Sequence, residues 1–132
     1  SAMAAKHMVG DFPVEVVDSR LTTMASGFLV FKAAEIAQQG GDIDQVAEAA
    51  RSLIGKVRVM FVVDTLEYLH KGGRIGGAKR LLGSLLAMKP ILELKDGKIE
   101  PLESVRTKKK AIRAMLSQLD YDASGKDNIH LT

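Results

Sequence analysis

The chain has 132 residues, 46% of them hydrophobic and 27% charged, with a net charge of +3 at pH 7. That length suits one domain with a modest core, and the apolar content excludes a disordered chain. No apolar run reaches the ~18 residues that a membrane-spanning helix needs, no long apolar segment marks a secretory leader, and the absence of cysteine excludes disulfides, thiol nucleophiles and thiolate metal sites.

Residues 1–12 read as a helical lead-in, with Ser1-Ala2 ahead of Met3 expected as a tag remnant. One domain is expected over 13–132. Val14–Val17, short and β-rich after Pro13, predicts a strand. Asp18-Ser19 would then sit at its C-terminal end, where α/β proteins place their sites. Residues 24–39 predict a helix that Gly40-Gly41 ends. Asp42 caps the next helix, and Gln45 completes a capping-box pattern. Ile43, Val46, Ala47, Ala50, Leu53 and Ile54 keep helical spacing up to Gly55. Val57–Val63 is almost continuously apolar and predicts a strand covered on both faces. Asp64 and Glu67 are expected to cap a short helix over Thr65–Lys71.

A loop over Gly72–Gly77 follows, then an amphipathic helix over Ala78–Met88 that Pro90 ends. Ile91–Leu94 and Ile99–Glu103 flank Asp96-Gly97, the strongest short hairpin signal. Thr107 is the expected cap of a helix to about Leu119, with Ile112, Met115, Leu116 and Leu119 turned inward. Asp120–Asp127 reads as a loop, and Asn128–Thr132 as the start of a strand. Strands alternating with helices give an α/β (α+β) domain whose mixed sheet contains a hairpin.

Several segments are suited to binding. Gly72-Gly73-Arg74-Ile75-Gly76-Gly77 has the backbone freedom to cradle an anion, but its spacing matches neither common phosphate-binding pattern, and its residues alone favour a plain loop. Arg106-Thr107-Lys108-Lys109-Lys110 places cations in a first helical turn, against the helix dipole. It is either a solvated face or a surface for a negatively charged partner. Lys79–Lys89 has basic ends and a leucine-rich face, which suits core or an anionic membrane surface. No catalytic constellation is visible: His7, His70 and His130 lack metal-ligand spacing, and no nucleophile elbow surrounds Ser19.

Val63-Asp64-Thr65-Leu66-Glu67-Tyr68-Leu69-His70-Lys71-Gly72-Gly73-Arg74-Ile75 resembles the signature of the DegV family. Val17-Asp18-Ser19-Arg20 with Thr23-Met24 and Gly27, Lys89-Pro90-Ile91-Leu92, Asp96-Gly97-Lys98-Ile99 and Val105–Ala111 are similar to further family segments, in the family's order. Thr23 stands where the family often has serine, and Ala25 where it often has glycine. The resemblance implies a central-to-C-terminal portion of a two-domain protein that binds a long-chain fatty acid, is no enzyme by itself and presents the acyl chain to a separate kinase subunit. The absence of cysteine agrees with a cytoplasmic protein, and no metal or cofactor is expected. Arg74, Arg106, Gly72, Gly73 and Thr23 become the expected head-group or partner contacts. Met24, Phe28, Phe61, Ile75, Leu85 and Ile91 become candidates for the acyl tunnel, and Lys108, Lys109 and Lys110 a basic partner surface. The family's Thr/Ser-rich head-group loops have no counterpart in this sequence, and its histidine would fall beyond His130. Weak or absent specific binding by the chain alone is therefore expected, with homodimerisation through the uncovered face as an alternative. The rival expectations are a small basic nucleic-acid-binding module, disfavoured by 5% aromatic content, and an inactive fragment that keeps the fold.

Overall fold

The computed structural model describes residues 1–83 and 88–126. Contacts divide the chain into two compact units, Ser1–Arg58 and Val59–Thr132.

The first unit is helical. Helix α1 (Ala2–Met8) starts at Ser1, whose hydroxyl accepts the Ala4 N–H. Helix α2 (Thr23–Gln38) buries Ala25 and Leu29 and packs against α3 (Ile43–Arg51), which buries Ala47 and Ala50. The α3 capping box is complete: Gln45 N–H donates to Asp42 Oδ1 at 2.9 Å, and Asp42 N–H to Gln45 Oε1 at 3.0 Å. The expected run of α3 to Gly55 is corrected, because the helix stops at Arg51 and a 3-10 turn covers Ile54–Lys56.

Val14–Val17 does not form the expected strand. β-propensity reflects fit to a neighbouring strand rather than a backbone preference, and this segment has no ladder partner among the described residues. Ion pairs hold it instead: Glu15 accepts from Lys6 Nζ at 3.0 Å and from Arg51 Nη2 at 2.9 Å.

The second unit is built on a three-stranded sheet in the order β1 (Val59–Val62), β2 (Lys89–Lys95), β3 (Lys98–Val105), antiparallel at both described pairings. Asp96 (φ 49°) and Gly97 (φ 74°) form the two-residue turn, whose left-handed backbone matches the twist of the strands it joins. β3 bulges at Leu102: Ile91 pairs with Glu103 and Leu92 with Pro101, leaving Leu102 without a partner and 39% exposed. The bulge also accommodates Pro101, which has no N–H to give the ladder. β1 is shorter than the apolar run that predicts it. All four of its residues are half-buried rather than enclosed, because β1 pairs only with β2 among the described residues.

Leu92, with no exposed surface, centres the core with Leu66, Ile75 and Ala78, and Phe61, Val63, Leu69, Leu81 and Ile99 pack around it. Residues of helix α5 (Lys108–Ala123) are absent from this cluster, yet α5 contacts all three strands. It therefore covers the other face, toward which strand alternation turns Ile91. Thr107 caps α5 as predicted, its hydroxyl accepting the Lys110 N–H at 3.2 Å. The helix runs to Ala123, through half of the predicted 120–127 loop. Half of its predicted inner stripe faces inward: Met115 and Leu119 are half-buried, beside fully buried Ala111 and half-buried Ala114 and Gln118, while Ile112 and Leu116 are exposed. Small Ala111 lets the helix axis approach the sheet, which sets the rotation.

Helix α4 (Glu67–Lys71) is capped by Thr65, not by Asp64: Glu67 N–H donates to Thr65 Oγ1 at 3.1 Å. The predicted helix over Ala78–Met88 is replaced, where described, by a 3-10 helix at Gly76–Leu81 and a turn at Leu82-Gly83. Ser84–Ala87 and the predicted strand Asn128–Thr132 lie outside the described residues.

Gly76 has φ +51°, and a β-carbon there would meet the Ile99 carbonyl oxygen and lie 2.9 Å from the Ile99 nitrogen. Gly73 also has a positive φ, +67°, but open space around it. Gly73→Ala should cost about 1 kcal/mol, the strain of a left-handed alanine. Gly76→Ala should cost more than about 3 kcal/mol, because backbone must also move. Urea unfolding of the two variants checks the difference, and equal costs would contradict the close approach to β3.

Candidate functional site

The apolar positions of the stretch Val63–Ile75 face inward. Leu66 and Ile75 are buried in the Leu92 core, and Val63 and Leu69 pack against it. Its polar positions are outside: Glu67, Tyr68, His70, Lys71 and Arg74 are exposed. Glu67 and Lys71 pair one turn apart on α4.

The paired glycines have a local explanation. Arg74 N–H donates to Leu69 O at 2.9 Å and Gly73 N–H to His70 O at 3.0 Å, the two bonds of a Schellman cap with Gly73 in the left-handed position. The Arg74 guanidinium folds back, donating from Nη1 to Gly72 O at 2.9 Å. The loop is thus a hydrogen-bonded helix end that carries an arginine tied to its own backbone. The backbone then reaches Gly76 beside Ile99 at the start of β3.

A second group of charges gathers at the opposite end of the sheet. Asp64 just follows β1, Lys89 opens β2 and Arg106 just follows β3. Lys89 Nζ donates to Asp64 Oδ1 at 3.0 Å. That hydrogen bond and the Lys89 charge hold the Asp64 carboxyl below the usual carboxylate range, and the charge of Lys108 lowers it further. Lys108 therefore acts on the same sheet end as Asp64 and Lys89. Arg74 does not: Ile99 and Arg106 are seven residues apart, roughly 23 Å along β3. Arg74 and Arg106 thus belong to opposite ends of the unit.

Of the apolar candidates, Phe61 and Ile75 share the Leu92 core, whereas Ile91, 3% exposed, faces the α5 side. Leu85 lies outside the described residues. In the first unit, Met24 is 46% exposed on α2 and Phe28 half-buried. Thr23 begins α2 with φ 52°, a strained value for a β-branched residue. Just before it, Ser19 Oγ lies 3.2 Å from Ser26 Oγ and accepts the Leu21 N–H, while Asp18 Oδ1 accepts the Arg20 N–H. This tight turn replaces the strand end expected there. An open groove between α2 and α3 is lined by Ile36, Gly41, Gln45, Glu48, Ala49 and Ser52 among others, and a second lies over the hairpin by Lys95, Lys98 and Pro101. Neither contains a candidate residue. No group of side chains able to hold a metal ion occurs among the described residues, and no described helix is long and apolar enough to cross a membrane.

The sequence model of the DegV family, described as a family of uncharacterised proteins, matches residues 1–132. The chain belongs to the DegV family. A DegV domain-containing protein of Streptomyces coelicolor is 50% identical over 113 residues, covering 86% of this chain and 40% of that protein. The DegV protein of Bacillus subtilis is 40% identical over 125 residues, covering 94% and 44%. Among solved structures, a DegV family protein from Thermus thermophilus described for its fatty-acid binding superposes with a TM-score of 0.82 at 36% identity, covering 95% of this chain and 44% of that one. DegV from Bacillus subtilis, described as a fatty-acid-binding protein, gives 0.80 at 40% identity, covering 93% and 44%. The chain thus spans about two fifths of the length of these relatives.

Sequence reasoning finds the signature but misses two of its features. The Asp64–Lys89 pair joins residues 25 apart in sequence and follows only from the strand pairing. Tyr68, 76% exposed, had a local signal: it is an aromatic on the outward side of a helix whose neighbours Leu66 and Leu69 are drawn inward.

Because pairing lowers the folded-state pKa of Asp64, the stability it gives is present above the unfolded carboxylate pKa and is lost as pH falls through the folded value. Asp64→Asn should therefore lower the melting midpoint at neutral pH and leave it unchanged at pH values below that folded pKa. Thermal melts of both proteins across the acid range check this; a deficit that persists in strong acid would contradict the pairing.

Proposed function

We propose that this chain is part of a long-chain fatty-acid carrier that performs no chemistry itself and presents its acyl cargo to a separate kinase subunit. The observation that carries the proposal is the likeness over nearly the whole chain, at 40% identity and a TM-score of 0.80, to a protein described as fatty-acid binding. A likeness of 0.77 to a stearic-acid-binding protein from Eubacterium ventriosum supports the same ligand class.

In this proposal affinity comes from the acyl tail. Each methylene taken from water contributes about 0.8 kcal/mol, so a dozen outweigh a head-group hydrogen bond at about 1 kcal/mol. Met24, Phe28, Phe61, Ile75, Leu85 and Ile91 are the tunnel candidates, and Thr23 is a head-group contact. Arg106, with Lys89 beside it, favours a carboxylate or an acyl-phosphate, which a guanidinium binds in bidentate fashion. Arg74, held on the Schellman-capped loop with Gly72 and Gly73, is the contact to the kinase. Rigid presentation limits the ordering entropy lost on docking.

A chimera in which this chain replaces the matching portion of the Bacillus subtilis relative tests the reading. The expected result is one fatty acid per protein in native mass spectrometry. A folded chimera that stays empty, and takes up no added fatty acid, overturns it. Arg74→Glu in that chimera should leave the bound lipid in place and slow phosphorylation by the partner kinase at least about tenfold; an unchanged rate would rule out Arg74 as a docking residue.

A further inference from the structure

Between Glu103 and Asp120 the sequence carries Arg106, Lys108, Lys109, Lys110 and Arg113 and no acidic residue. All five cations are exposed, and none has an ion-pair partner among the described residues. Four of them lie on α5, and the helix also turns two large aliphatic side chains outward. Ile112 is 49% exposed and Leu116 53%. Positions 109, 112, 113 and 116 follow the i, i+3, i+4, i+7 spacing of one helix stripe, so Lys109 and Arg113 flank these aliphatics. The inward side, by contrast, is made of Ala111, Ala114, Met115, Gln118 and Leu119. The helix thus keeps Met115 and Leu119 toward the sheet and leaves Ile112 and Leu116 exposed among cations.

Two demands meet on that stripe. Ile112 and Leu116 are stabilised by leaving water, and the cations are stabilised beside an anionic layer. The interface of an anionic bilayer supplies both within a few ångströms of depth. We propose that the outward face of α5 docks on an anionic lipid bilayer, with Ile112 and Leu116 at the acyl boundary and Lys108, Lys109 and Arg113 among the head groups. A nucleic acid offers phosphates but no apolar phase, and only 5% of the chain is aromatic for stacking on bases. A second copy of the chain would bring the same cations to the contact, and like charges oppose it. The proposal does not rest on the fatty-acid reading.

Flotation of the full chain with vesicles tests it. At low salt the chain should float with vesicles of phosphatidylcholine mixed with phosphatidylglycerol and not with phosphatidylcholine alone, and added salt should release it. Lys109→Gln/Arg113→Gln should weaken binding about 30-fold, the effect of two cations at an anionic surface. Ile112→Ser/Leu116→Ser should weaken it about tenfold. Both pairs should keep the parent's melting midpoint, since none of the four side chains is buried. Absence of flotation at low salt, or equal flotation on the two vesicle types, overturns the proposal. So do undiminished binding by the serine pair and tighter binding to random duplex DNA than to anionic vesicles at the same salt.

Discussion

The contact of Leu66, Ile75 and Ala78 with Leu92 organises the second unit. Leu92 sits in the middle strand, so its side chain is enclosed by neighbours on both sides and by whatever crosses that face. Here the DegV signature does the crossing, entering at Asp64 beside the end of β1 and leaving at Gly76 against the start of β3. Each large apolar side chain buried there contributes about 1.5–3 kcal/mol, so Leu66 and Ile75 together hold a short helix that is far below the ~12 residues needed for independent stability. The Schellman cap and the glycine at position 76 then follow as geometric requirements: the chain must reverse out of α4 and pass within contact of β3 backbone.

The apolar residues of the signature pack in the core and its polar residues face outward. Tyr68, Lys71 and Arg74 project from a support fixed at both ends. The other charged group, Asp64 with Lys89, Lys108 and Arg106, depends on strand register instead. Lysines in the first turn of α5 work against the helix dipole by a few tenths of a kcal/mol each. Thr107 capping and the attraction of Asp64 for Lys108 offset part of that.

Local chemistry was legible in the sequence wherever one short stretch decides the outcome. The Asp42–Gln45 box, the Thr107 cap and the Asp96-Gly97 turn form as their residues dictate. Outcomes set by distant partners were not legible. Val14–Val17 has strand composition but no ladder neighbour among the described residues. Asp64 has the chemistry of a cap, yet Lys89 reaches its carboxylate and Thr65 is left to accept the helix N–H. On α5, Ile112 and Leu116 fit a helical stripe as well as Ala111, Ala114 and Met115 do, and the rotation is decided by how closely the helix can approach the sheet. For the candidate site, the signature marked the loop and its arginine, but not that the guanidinium would bond to Gly72 or that Arg106 would lie at the far end of the strand.

The division of the signature into an anchoring apolar set and an unburdened polar set is tested most directly by urea unfolding of Ile75→Ala beside Arg74→Ala. Ile75→Ala should cost about 2–5 kcal/mol, the range for a large aliphatic residue removed from a core. Arg74→Ala should change stability by less than about 0.5 kcal/mol, as for an exposed side chain. Comparable losses from the two variants would show that the arginine is part of what holds the loop to the sheet, and would contradict the account.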